Sequence, residues 1–196
     1  MTGGQYVTAN GVKTYYEVHG EGEPLLLLHG GAVPAIESFA LQTPELAKHF
    51  KVILPERRGH GRTADVDGPI TYDLMAQDTI AFMEALAIKS AHLVGWSDGA
   101  NVGMLVAISR PDLVKKLVSI SGNFHVDGLT QQFKTFVERV TPDPLLSRGV
   151  VQGNQPGWPR ALTGGVREDQ AHVAQRAADL ASGPRPDRGA DSRHVR

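Results

Sequence analysis

Gly95-Trp96-Ser97-Asp98-Gly99 sets a serine midway between two glycines, a spacing that suits a hydroxyl nucleophile. A serine Oγ attacks a carbonyl carbon effectively when it stands at an exposed tip, beside N–H groups that take up the developing negative charge. Glycines two residues to either side let neighbouring backbone pass that tip without a side-chain clash. The pattern alone carries limited weight, because nine serines and 22 glycines in 196 residues give roughly 0.1 chance matches. Context adds the rest. Ala91 to Val94 is a short apolar run that predicts a strand. Ala100, Val102, Gly103, Met104, Val106, Ala107 and Ile108 predict a helix buried on most faces and stopped by Pro111. Ser97 therefore falls on a strand-to-helix turn and is the candidate nucleophile.

Two upstream segments belong with it. Pro24-Leu25-Leu26-Leu27-Leu28 is an unalternating apolar run, the pattern of a central parallel strand covered on both faces, and it ends in His29-Gly30-Gly31. Arg58-Gly59-His60-Gly61-Arg62-Thr63 follows a second short strand, Val52-Ile53-Leu54. Taken together at these spacings, the three segments resemble the α/β-hydrolase superfamily over roughly the first 145 residues. Within it, the Gly-Trp-Ser-Asp-Gly turn is most similar to the valacyclovir-hydrolase and small-ester hydrolase branch.

That resemblance implies an α/β class fold, a mostly parallel sheet with helices on both faces, incomplete at the C-terminus. It implies serine hydrolase chemistry on a small ester, thioester, lactone or amide through an acyl-enzyme at Ser97, with no cofactor. A cofactor-free haloperoxidase would use the same serine, whereas a dehalogenase would use aspartate. The backbone N–H groups of Gly31 and Asp98 would form the oxyanion hole, where loss of one donor costs about 2.7–4 kcal/mol. Trp96 would pack beside the acyl pocket, and Asp98 would offer a side-chain contact to a cationic group of the substrate. His29 and His60 would be structural, bonding backbone near strand ends. Glu56 stands where members usually carry aspartate; with Arg57 it would either brace the loop or belong to a solvated charged segment. The segment after the strand 113–120 would cap the pocket, which makes Phe124, Phe133 and Phe136 pocket candidates, as Val137 and Val140 would also be; core packing is an equal reading. The order on this fold is Ser, then Asp or Glu, then His. Neither later partner is recognisable, and Asp127, Asp169, Asp179 and His172 are poor substitutes. The alternative function is a catalytically incomplete hydrolase-like fragment, or a ligand-binding pseudo-enzyme lacking the acid and histidine of the triad.

The remaining elements are scaffold. Tyr6 to Ala9 and Val12 to Val18 flank Asn10-Gly11, a hairpin signal that predicts an antiparallel pair at a sheet edge. Ala35 to Phe50 predicts a helix with Phe39, Leu46, Ala47 and Phe50 apolar, and Thr71 predicts the N-cap of a helix to about Ala87. Leu113 to Ile120 predicts a strand, and Leu129 to Val140 a lid helix. The boundaries expected are a core over 1–122, the start of a lid over 123–149, and an atypical tail over 150–196.

Length favours one domain, and a net charge of −1 with 41% hydrophobic residues gives no nucleic-acid footprint. With no cysteine there is no disulfide or thiolate metal site, and the histidine spacings suggest no metal at all. Nothing at the start resembles a secretory signal, and no apolar run reaches membrane-spanning length, so the expectation is a cytoplasmic protein acting on a small-molecule substrate, with no membrane partner. Oligomeric state is not legible. The tail holds seven arginines and no lysine, against six arginines and seven lysines in residues 1–149. Such Arg, Ala, Gly and Pro usage resembles a disordered tail or a GC-rich gene read out of frame. Shifted one base forward, with synonymous codons chosen freely, 187–196 can encode a buried-strand string. A frameshift near 145 to 155 is the reading expected, and it would leave the strand 114–120 an unprotected edge.

Overall fold

The fold is seen in a computed structural model, which describes residues 4–31, 33–65, 67–68, 70–123, 125–132 and 135. Among the described residues six strands form one sheet: β1 Gln5–Ala9, β2 Val12–His19, β3 Glu23–Leu28, β4 Phe50–Pro55, β5 Ala91–Trp96 and β6 Val114–Ile120. Their order is β1-β2-β4-β3-β5-β6. The first two pair antiparallel through the Asn10-Gly11 turn, whose φ values of 46° and 74° are the positive pair a type I′ hairpin needs. β2 joins β4 antiparallel, and β4, β3, β5 and β6 are parallel.

β3 is the centre, and its composition explains why. Leu26, Leu27 and Leu28 are all 0% exposed. Leu26 and Leu28 face one core with Met75, Phe82, Met83, Val102, Leu105 and Val106, which come from α3 (Tyr72–Ala85) and α4 (Asp98–Ser109). Leu25 and Leu27 face the other, with Phe39, Val52 and Leu54. A strand covered on both faces has no polar side to alternate, hence the leucine run.

Thr71 caps α3, its Oγ1 accepting from the Leu74 N–H at 3.1 Å. The single helix expected over 35–50 is not formed. Two short helices stand there, α1 (Ala35–Ser38) and α2 (Thr43–Leu46), and Phe50 begins β4. Pro44 is the reason: mid-helix it would remove a hydrogen bond and strike the preceding turn, whereas at the start of α2 its missing N–H is harmless. The apolar positions nevertheless serve as the pattern implies, since Phe39, Leu46, Ala47 and Phe50 all join the second core.

β6 is the last strand of the sheet among the described residues, and Val118 and Ile120 on it are exposed. A 3-10 turn, Val126–Gly128, follows. Most of the lid helix expected over 129–140, and the whole tail over 150–196, lie outside the described residues.

Candidate active site

The site begins with a register. β3 and β5 are parallel neighbours with Leu28 opposite Gly95, so His29-Gly30-Gly31 and Trp96-Ser97-Asp98 leave the sheet side by side at its carboxyl edge. Open parallel sheets place their sites there, where successive strands diverge to opposite sides. Here β4 lies on one side of β3 and β5 on the other.

Ser97 occupies the turn between β5 and α4 at φ 53°, ψ −118°, a backbone region that L-residues rarely hold. Neighbouring hydrogen bonds impose it. The Ser97 N–H donates to the Ile120 carbonyl at 2.8 Å, while the Ser97 carbonyl accepts from the Ala100 N–H at 2.9 Å to open the helix. Close packing demands both glycines. A Cβ at Gly95 would strike the backbone of Gly99 and Ala100, and one at Gly99 would strike the backbone of Leu28 and His29. Ser97 itself is half-buried, at the N-terminus of a 12-residue helix whose first N–H groups have no intrahelical acceptor. Asp98 is the first helical residue, so its N–H is one of these, and the helix dipole favours negative charge at the same place.

Gly30 and Gly31 lie against this turn. A Cβ added at Gly30 would stand 3.3 Å from the Ser97 Cβ and 3.0 Å from Cε3 of Trp96, and one at Gly31 would meet the Asp98 carboxylate. Trp96, 37% exposed, thus packs on the Gly30 backbone beside the serine. The structure brings together Ser97, Gly31, Asp98 and Trp96. Phe124, Phe133 and Phe136 lie outside the described residues.

A buried polar layer supports the two loops. The Tyr72 hydroxyl donates to Asp98 Oδ1 at 2.6 Å, so one carboxylate oxygen is already engaged inside the protein. Arg57 Nη2 donates to the carbonyls of His29 at 2.5 Å and Gly30 at 3.0 Å, and the Arg57 backbone N–H donates to His29 Nε2 at 3.1 Å. Asn101, buried in α4, accepts from the Asn123 N–H at 2.8 Å and ties the loop after β6 to the helix. Tyr72 and Asn101 are functional candidates that the sequence does not single out, and Arg57, expected there only as a brace of its own loop, reaches the Gly30 loop as well. Their partners come from other elements, and no local motif marks them.

His29 and His60 are buried and their rings lie 4.9 Å apart. Burial pushes both imidazoles down, His60 to about 4, and the Arg57 cation depresses them further. His60 Nδ1 bonds the Arg58 carbonyl at 2.9 Å. These contacts are structural, as the resemblance implies. Glu56 is not part of a solvated segment. It is 0% exposed and accepts from the Arg62 N–H at 2.5 Å and from Arg62 Nη1 at 2.6 Å, while burial raises its carboxyl above the usual range. Arg58 forks onto Asp78 of α3 at 2.5 and 2.8 Å. The loop is therefore pinned from both ends. A separate cavity of about 580 Å³, lined by His19, Lys51, Ile88 and neighbours, opens where β4 begins and does not include Ser97. Among the described residues no cluster of His, Asp or Glu could hold a metal ion, and no helix is long and apolar enough to cross a membrane.

The chain is similar to several known proteins. RutD of Caulobacter segnis, whose name assigns it provisionally to carbamate hydrolysis, is 37% identical over 112 residues, 55% of this chain and 42% of its own. A 2-hydroxymuconate semialdehyde hydrolase of Pseudomonas sp. is 34% identical over 118 residues, covering 59% of this chain and 42% of its own. The human serine hydrolase BPHL is 33% identical over 125 residues, 61% of this chain and 43% of its own. The matches thus span less than half the length of these relatives. Among solved structures, a meta-cleavage product hydrolase from Pseudomonas fluorescens IP01 superposes with a TM-score of 0.73 at 23% identity, over 88% of this chain and 72% of that one, a likeness of fold. The family model described as alpha/beta hydrolase fold matches residues 23–147, and with β3, the Ser97 turn and α4 all inside that span, the chain belongs to the α/β hydrolase fold family.

Proposed function

We propose that the chain carries the nucleophile half of a serine hydrolase acting on a small ester, thioester, lactone or amide. Ser97 Oγ attacks the carbonyl carbon, a C–O bond forms, and the tetrahedral oxyanion is held by the N–H groups of Gly31 and Asp98. Collapse expels the alcohol, thiol or amine with a proton, and water then releases the acid from the acyl-enzyme. The observation that carries this reading is the backbone of Ser97, at φ 53° and ψ −118° on the first turn of α4 with Gly30 packed against its Cβ. Such strain persists where the surrounding structure enforces it, and it is concentrated at functional sites. Relatives named as hydrolases support the same class of reaction.

On the resemblance, the acid and the base that would complete the machinery follow Ser97 in the order of the fold, and neither is recognisable in this sequence. His29 and His60 are committed to backbone contacts, and Asp98 to Tyr72. That commitment favours a second reading, a chain that keeps the pocket and lacks turnover. A fluorophosphonate, whose phosphorus is attacked by Ser97 Oγ with loss of fluoride, separates the two. Labelling that disappears in Ser97→Ala, together with hydrolysis of a p-nitrophenyl ester, is the expected result. A folded protein that neither labels nor turns over favours the second reading.

A further inference from the structure

Glu56, Arg57, Arg58 and Arg62 crowd one loop, and the charges are not treated alike. Glu56 takes Arg62 and Asp78 takes Arg58, each pair within 2.6 Å. Arg57 is as buried as Arg58, 4% exposed, yet no carboxylate lies within ion-pair distance of it among the described residues. Its guanidinium is spent on neutral groups: Nη2 on the carbonyls of His29 and Gly30, and Nε at 3.4 Å from His29 Nε2. Nη1 is buried with no hydrogen-bond partner. Asp98 acts on it only as a more distant charge. A buried cation without a direct counter-charge is costly, and an apolar residue of similar volume would serve packing better. The placement asks for a role other than stability.

Peptide geometry supplies one. The Gly30 carbonyl and the Gly31 N–H belong to the same planar trans unit, so they point in opposite directions. A guanidinium that draws the Gly30 carbonyl to its side turns the Gly31 N–H to the opposite side, away from Arg57. Hydrogen bonding at the carbonyl also polarises the amide and strengthens its N–H as a donor. Glycine has no side chain to hold that peptide, so its plane is set by the two groups on the Gly30 carbonyl, His29 Nδ1 at 2.6 Å and Arg57 Nη2 at 3.0 Å, and Arg57 also holds His29 through its backbone N–H at 3.1 Å.

We propose that Arg57 is a positioning residue of the oxyanion hole, fixing the Gly30–Gly31 peptide directly and through the His29 ring so that the Gly31 N–H faces the reacting carbonyl. The proposal rests on the reading of Ser97 as nucleophile, and two measurements keep the two ideas apart. The first is fluorophosphonate labelling of the whole chain over a range of probe concentrations, for the wild type, Arg57→Gln and Arg57→Lys, with urea midpoints recorded for each. Oxyanion donors are worth roughly 10²- to 10³-fold when removed, so a donor left misaligned is expected to lower the maximal labelling rate of Arg57→Gln about tenfold or more. The half-saturating probe concentration should stay within about twofold, and Arg57→Lys should recover part of the rate by restoring a cation at the carbonyl. A folded Arg57→Gln that labels at the wild-type maximal rate overturns the proposal, as does a loss that merely tracks the unfolded fraction. Should Arg57→Gln not fold, the partial loss is read from Arg57→Lys against the same control.

The second measurement is the NMR resonance pair of the Gly30 carbonyl carbon and Gly31 amide nitrogen, which needs no reaction. Both are expected to move in the Arg57 variants while Gly103 in α4 does not. An unmoved pair overturns the positioning even if Ser97 labels. A wild type that fails to label overturns the nucleophile and leaves this second measurement to decide the peptide.

Discussion

Ser97 sits in a conformation that glycine adopts far more readily, and its Cβ makes the strain. Residues held in such regions store of order 1–3 kcal/mol, which the surrounding packing must offset. Ser97→Gly is expected to raise the unfolding free energy by about 1 kcal/mol or more while abolishing labelling, whereas Ser97→Ala, which keeps the Cβ, should abolish labelling with little change in stability. Urea unfolding of the two variants measures the difference; equal stabilities would mean the turn is not strained by its side chain. The serine and its glycines were legible because the rule that marks them is local, a spacing of two residues forced by backbone contact at one tip. The polar layer behind them was not. Arg57 reaches back 28 residues to His29 and Tyr72 forward 26 to Asp98, and such pairs leave no trace in periodicity. Asp98 combines the two cases: its place in the turn is local, whereas the partners of its carboxylate, expected to meet a cationic substrate group, are not, since one oxygen accepts from Tyr72 and the other lies against Gly31.

Elements were legible where one physical cause dominates and obscure where two compete. The leucine run of β3 could serve only a doubly covered strand, and Asn10-Gly11 only a tight hairpin. In 35–50 the apolar spacing argued for one helix while Pro44 argued against it, and the proline prevailed because its ring and missing N–H act at a fixed place. The end of α3 is a further case. Ala87 holds φ 54°, its N–H donates to the Glu84 carbonyl at 3.0 Å, and the Ile88 N–H donates to the Met83 carbonyl at 2.9 Å. This is the Schellman pattern, in which glycine usually occupies the left-handed position. An alanine there gives no signal in the sequence and pays a conformational penalty in the fold. Ala87→Gly is accordingly expected to stabilise the protein by about 1 kcal/mol, seen as a higher urea midpoint at unchanged slope. A lower midpoint would show that the Ala87 methyl is needed for packing.

The whole molecule joins the two loops of the site to the core through buried imidazoles, and this makes stability depend on acid. His29 and His60 are neutral in the fold, His60 titrating only near pH 4 and His29 well below its ordinary value, because burial and the adjacent Arg57 cation oppose a second charge. In the unfolded chain each takes a proton near pH 6.5. The unfolded state therefore binds more protons as pH falls below 6.5, and the fold loses stability in that direction until His60 itself protonates near pH 4. For His60 the loss between pH 7 and pH 5 is about 2 kcal/mol, a substantial part of the 5–15 kcal/mol typical of a domain, and His29 adds to it in the same sense. Glu56 works against them just above pH 4.5, since its raised carboxyl holds a proton in the fold that the unfolded chain has released. The urea midpoint is thus expected to fall steadily from pH 7 to pH 5. His60→Asn, whose amide nitrogen can still reach the Arg58 carbonyl, should start from a lower stability and fall less steeply, because one proton-binding difference has been removed. A midpoint independent of pH across that range, or an unchanged slope in His60→Asn, would place the acid sensitivity elsewhere than in the imidazoles beneath the Gly30 loop.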